Sequence, residues 1–172
     1  NSAFGNNSMY SNTTGGYNAA YGISSLYSNT TGSDNAAFGN DALYDNTTGG
    51  RNAAFGLSAL SSNTQGLYNT GFGAYAGYSN ETGSANVFIG YEAGYNETGS
   101  NKLYISNSSS TNLLYGDFST GDLSLGQTSG TVTILNDADI DGTLTLGSIS
   151  DVESEINSYS SDISTNATNI SS

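Results

Sequence analysis

The chain has 172 residues and a formal net charge of −13, with 15 acidic side chains against two cations, Arg51 and Lys102. It has no His, Cys, Pro or Trp, which excludes thiolate and imidazole metal sites, histidine-dependent triads, cysteine nucleophiles and disulfides. Two cations cannot displace counterions from a nucleic acid, the charge opposes anionic membranes, and no apolar run approaches the roughly 18 residues of a membrane span. No nucleic-acid partner and no membrane insertion by this segment are expected. The chain starts without Met, already inside a repeated motif, and reads as a piece of a longer protein.

The motif is Asn1-Ser2-Ala3-Phe4-Gly5. It returns as Asn18-Ala19-Ala20-Tyr21-Gly22, Asn35-Ala36-Ala37-Phe38-Gly39 and Asn52-Ala53-Ala54-Phe55-Gly56. It then drifts to Asn69-Thr70-Gly71-Phe72-Gly73 and Asn86-Val87-Phe88-Ile89-Gly90, always 17 residues on. A seventh, imperfect start is Asn101-Lys102-Leu103-Tyr104-Ile105. The second half of the unit repeats too: Met9-Tyr10-Ser11-Asn12-Thr13-Thr14-Gly15 matches segments starting at Leu26 and Leu43, with a variant at Gly77.

At about 3.3 Å per residue, such a unit holds two short strands and two turns. Helical repeats need more than about 30 residues, and two glycines per unit disfavour helix. Period-two alternation puts Ser2/Phe4, Ala19/Tyr21, Ala36/Phe38, Ala53/Phe55, Thr70/Phe72 and Val87/Ile89 on one strand face. The other face carries Asn, a small residue and Gly. Asn-Thr-Thr-Gly is turn chemistry. The pattern predicts an all-β repeat over residues 1–105, a β-solenoid whose 17-residue coils stack their strands in parallel. The column Gly5, Gly22, Gly39, Gly56, Gly73 and Gly90 has two readings: a turn with positive φ, or close approach of another chain's backbone. The small-residue face is expected to be the one that three chains bury together.

On these residues the repeat resembles the head repeats of trimeric autotransporter adhesins, with Asn86-Val87-Phe88-Ile89-Gly90 nearest to their Ser-Val-Ala-Ile-Gly-type motif. It is also similar to Asn-Thr-Ala-Phe-Gly and Asn-Thr-Thr-Gly repeats of bacterial surface proteins and phage tail fibres. The resemblance implies a left-handed parallel β-roll assembled as a homotrimer.

Residues 106–147 leave the repeat. Short alternating runs at Leu113–Gly116, Leu123–Leu125, Val132–Ile134 and Leu144–Leu146 predict a β-rich neck. Over 148–172 the period changes: Ile149, Val152, Ile156, Tyr159, Ile163, Asn166 and Ile170 are spaced 3, 4, 3, 4, 3, 4. That is a heptad seam, with Ile at the a positions, and predicts the start of a trimeric coiled-coil stalk. Asn166, at a d position, reads as a register-fixing residue. Ile163–Ile170 resembles the stalk motif of the same adhesins, which implies that Asn166 holds an anion on the axis.

Three further features invite chemistry. Asp137, Asp139 and Asp141 match the opening of a calcium loop, yet Ser148 stands where the bidentate Glu belongs. Glu81 and Glu97 lie in Asn-Glu-Thr-Gly turns with Glu92 between them, and read as solvated rather than as a hydrolytic carboxylate pair. Tyr10, Tyr27, Tyr44, Tyr78 and Tyr95 form a column, interrupted at Ser61, that suits stacking between coils more than sugar binding. No cofactor and no catalytic residue are expected. The expected role is multivalent adhesion by an extracellular fibre, on a bacterial surface or a virion tail, to a host glycan or protein receptor. The alternatives are a structural spacer and, on the Thr-Thr columns, an ice-binding solenoid.

Overall fold

A computed structural model describes residues 1–126, 159–161 and 163. The chain divides into two compact units, Asn1–Val132 and Thr133–Ser172. In the first unit, six coils each begin with a three-residue strand: β1 (Ser2–Phe4), β2 (Ala19–Tyr21), β3 (Ala36–Phe38), β4 (Ala53–Phe55), β5 (Thr70–Phe72) and β6 (Val87–Ile89). Neighbours pair in parallel with a 17-residue step, Ser2 against Ala19 and Ala19 against Ala36. Pairing continues round the coil beyond the strands, as in Leu26 N–H to Ala42 C=O at 3.0 Å and Thr30 N–H to Thr47 C=O at 2.9 Å. The solenoid expected from the repeat is the fold.

Its interior is the small-residue face. Ala20, Ala37 and Ala54 are wholly buried, as are Leu26, Leu43 and Leu60 from the opposite side of the coil. The strand aromatics point outward: Phe4 is 75% and Phe72 58% exposed. This corrects the expectation that three chains share the Ala and Gly columns, because one chain encloses them. A 17-residue coil leaves a lumen too narrow for a ring at every level.

The glycine column serves both as a turn and as a close approach, but the approaching backbone is the chain's own. Gly5, Gly22, Gly39, Gly56, Gly73 and Gly90 have φ between 112° and 147°, outside the range of L side chains. A methyl on Gly39 would also run into the carbonyl of Gly56 one coil on. Gly39→Ala is therefore expected to cost several kcal/mol, by roughly the magnitudes known for strained backbone and overpacked sites. Gly16, where an added Cβ meets nothing within 4 Å, is the control: Gly16→Ala should leave the urea midpoint unchanged.

Two columns of buried asparagines line the lumen. Asn18, Asn35, Asn52, Asn69 and Asn86 donate from Nδ2 to the carbonyls of Gly32, Gly49, Gly66, Gly83 and Gly99 at 2.8–2.9 Å. The Oδ1 of each of the first four accepts the backbone N–H of the next, from Asn35 through Asn86, at 2.9–3.1 Å. The second column, Asn29, Asn46 and Asn63, bonds along itself: Asn46 Nδ2 to Asn29 Oδ1 at 2.7 Å and Asn63 Nδ2 to Asn46 Oδ1 at 2.9 Å. Among the described residues, no buried side-chain nitrogen or oxygen lacks a partner. That condition makes a polar lumen tolerable.

The upper coils exchange volume. Where lower coils place Leu26, Leu43 and Leu60, the fifth and sixth place Gly77 and Gly94. The sixth strand supplies Phe88 in place of alanine, wholly buried against the faces of both glycines.

β7 (Lys102–Ile105) closes the parallel stack. β8 (Leu114–Asp117) and β9 (Asp122–Leu125) then turn back antiparallel on the same sheet. Residues 114–125 thus extend the sheet of the roll as an antiparallel hairpin, β8 running against the roll strands and β9 with them. The strands expected at Val132–Ile134 and Leu144–Leu146 lie outside the described residues.

Candidate functional site

The outer strand face is an apolar column one side chain wide. Phe4, Tyr21, Phe38, Phe55, Phe72 and Ile89 occupy one position of six consecutive parallel strands. Tyr21 and Phe38 stack at 4.9 Å, and Phe38 and Phe55 at 5.0 Å with planes 3° apart. These distances follow from the strand spacing of about 4.8 Å, which sets in-register rings near van der Waals contact. Phe4, Tyr21, Phe38, Phe72 and Ile89 are exposed on the outer side of the roll, and Phe55 between them is half-buried. At the top of the roll the column runs into a groove of about 920 Å³ lined in part by Ile89, Ile105, Leu113 and Tyr115.

The second aromatic column packs as the sequence suggests. Tyr10, Tyr27 and Tyr44 stack at 5.2 and 5.0 Å, and Tyr78 stacks on Tyr95 at 5.0 Å. Tyr27, Tyr44, Tyr78 and Tyr95 are half-buried. The threonine column is engaged within the roll: the Thr13, Thr30, Thr47 and Thr64 hydroxyls donate to carbonyls one coil on at 2.8–3.0 Å.

Glu81 and Glu97 are not equivalent. The sixth coil is one residue shorter, so Glu97 falls 17 positions after Asn80 and takes the place of a ladder asparagine. Its Oε1 accepts the N–H groups of Thr98 and Gly99 at 2.9 and 2.7 Å, and its Oε2 accepts the Tyr104 hydroxyl at 2.6 Å. Glu81 is exposed. Burial, then the bond to Glu97, push the Tyr104 phenol above the usual tyrosine range. Beside it, Lys102 of β7 pairs with Asp117 of β8. The hydrogen bond from Lys102, and then those from Ser119, hold the Asp117 carboxyl below the usual carboxylate range.

Both shifts make the end of the roll pH-sensitive, with opposite signs. Asp117 has its folded pKa lowered, so its contribution is present above the ordinary aspartate value near pH 4 and is lost as pH falls through the folded value. Tyr104 has its folded pKa raised, so its contribution is present below the ordinary tyrosine value near pH 10 and is lost as pH rises through the folded value. Thermal melts of Asp117→Asn should show a weaker acid dependence and, because Asp117 also raises the Lys102 pKa, a weaker alkaline dependence, whereas melts of Tyr104→Phe should weaken the alkaline dependence alone.

Of the other sequence-derived candidates, Asp137, Asp139 and Asp141, the core residues Ile149, Val152, Ile156 and Ile170, and Asn166 lie outside the described residues. Tyr159 and Ile163 are helical, 67% and 71% exposed. Among the described residues, no group of three or more Asp or Glu could hold a metal ion, and no helix is long and apolar enough to cross a membrane.

Fold and surface together define a β-solenoid of 17-residue coils with an internal asparagine lattice and an uncovered aromatic column. Comparison with protein-family models, curated proteins and solved structures returns no match.

Proposed function

We propose that the chain is a segment of an extracellular homotrimeric fibre, on a bacterial surface or a virion tail, that mediates multivalent adhesion to a host glycan or protein receptor. The observation that carries this reading is the uncovered column Phe4–Tyr21–Phe38–Phe55–Phe72–Ile89. A continuous apolar stripe calls for a partner, and its spacing repeats from coil to coil. A second and third copy packed along the same stripe present the same spacing in register. Covering such rings contributes roughly 25 cal/mol per Å². The exposed helical pair Tyr159 and Ile163, on the heptad seam, suits the same three-chain assembly in a stalk. Three chains displaying identical levels turn weak receptor contacts into avidity.

Light scattering on the full chain tests the assembly. The expected mass is three chains, and Phe38→Lys with Phe55→Lys should reduce it to one and lower the melting temperature. A wild-type monomer, as stable as any anchored trimer, overturns it. Binding to a panel of host glycans and surface proteins tests adhesion. Retention should fall by about 100-fold or more when the trimer is broken. Coils two to four repeat the Asn-Ala-Ala-aromatic-Gly strand almost without change, which favours a spacer role for that face of the stretch. A trimer that binds nothing on the panel would assign that role to the whole segment.

A further inference from the structure

The repeat breaks at one level, and the new side chains converge. Position six of the unit is Asn6, Ile23, Asn40, Leu57 and Ala74, then Tyr91. Position seven is Asn7, Ser24, Asp41 and Ser58, then Tyr75 and Glu92. That position is left-handed, with Tyr75 at φ 59° and Glu92 at φ 53°. A bulky ring there is a rarer and more strained choice than the Asn, Ser and Asp of lower coils. Tyr75 and Tyr91 stand 6.3 Å apart with planes at 84°, and Tyr75 and Tyr95 stand 6.4 Å apart at 52°. With Glu92 and Ser109 they line one cavity of about 370 Å³, a size suited to a small ligand group.

We propose that this pocket binds an alkylammonium group of the trimethylammonium type, held against the tyrosine rings with its charge opposite Glu92. Walls at near right angles let one cation lie within about 6 Å of more than one ring centroid, the range of cation–π attraction. A sugar is better served by a flat platform than by rings set at 84°. Tyr91 first, then Ser109, lower the Glu92 pKa, which keeps the carboxylate charged. No cation of the chain competes. Arg51 bonds Tyr68 and lies 3.9 Å from Asp34, and Lys102 pairs with Asp117.

The pocket belongs to one chain and goes beyond the fibre reading, so either can fail alone. Choline titrated into the full chain should shift the NMR signals of Tyr75, Tyr91 and Tyr95 saturably. The neutral isostere 3,3-dimethylbutanol should bind about tenfold more weakly, Tyr91→Ala should weaken choline by about tenfold, and Glu92→Gln should weaken it by several-fold. Both substitutions lie on the outside of the roll, and a cooperative melt of each variant shows that it is folded. Two further arms separate sources, and binding in either supports the proposal: phosphatidylcholine vesicles for a lipid headgroup, and a phosphorylcholine-bearing polysaccharide for a surface glycan. Equal binding of choline and the isostere, absence of saturable shifts, or sugars displacing choline as the preferred ligand would overturn it.

Discussion

Asn52→Asp is expected to unfold most of the roll at neutral pH and to recover partly in acid. Asn52 is 1% exposed, donates to the Gly66 carbonyl at 2.8 Å and accepts the Asn69 N–H at 2.9 Å. An ionised carboxylate keeps the acceptor and loses the donor, so two oxygens face each other in the buried lumen. Each unsatisfied buried group costs about 1–3 kcal/mol, more when charged, against a typical total of about 5–15 kcal/mol. The new carboxyl has its folded pKa raised by burial. Its penalty is therefore smallest below the ordinary aspartate value near pH 4 and grows as pH rises. Asn52→Ala should cost about 1–3 kcal/mol, because it strands the Asn69 N–H while the Gly66 carbonyl keeps the Asn63 Nδ2 donor at 3.3 Å, with no pH dependence of its own. Asn96, exposed in a turn, is the control. Circular dichroism melts at pH 3.5 and 7 separate the three variants, and equal melting of Asn52→Asp and Asn96→Asp at pH 7 would contradict the ladder's role.

The second large effect is at the volume exchange. Phe88→Ala removes a wholly buried ring and should cost about 3–5 kcal/mol. Gly94→Leu should be comparably harmful, because any Cβ at Gly94 collides with the Phe88 ring. The two together restore the composition of lower coils, in which Ala54 and Leu60 share one level, both wholly buried. Leucine accepts the left-handed backbone there: Leu26, Leu43 and Leu60 have φ of 51–53° and Gly94 has φ 60°. The double variant should therefore be far more stable than the sum of the single losses, with a coupling of at least about 2 kcal/mol in a denaturation cycle. Additive losses would mean that the upper coils do not tolerate the lower coils' packing.

Period, register and parallel pairing were legible in the sequence because a coil closes on itself with a fixed residue count. The 17-residue step from Asn1 to Asn86 is the strand register. Alternation separated two strand faces but did not say which one is interior. The expectation gave the small face to a three-chain contact. Lumen width decides otherwise, since it admits Ala and Asn at every level and one Phe only where Gly77 and Gly94 make room. The asparagines were visible as a column, yet their bonding was not, because Asn also suits turns. The shift of Glu97 into the ladder depends on one missing residue, which the look-alike Asn-Glu-Thr-Gly turns conceal. For the candidate site, Tyr91 and Glu92 are adjacent in the sequence, but Tyr75 joins them only when two coils are stacked.

The inter-coil hydrogen bonds have a mechanical meaning. They run along the axis of the roll, so a pull on its two ends loads them lengthwise and opens one row at a time. A coil that peels away exchanges a rise of about 4.8 Å for 17 residues of chain, roughly 55–60 Å when drawn out. Stretched in a force spectrometer, the segment should lengthen in a sawtooth of about 50 Å steps, and should recoil when slackened as coils rewind onto the rows still in place. A tether built this way dissipates a sudden tug over many small ruptures and spares whatever it holds at its end.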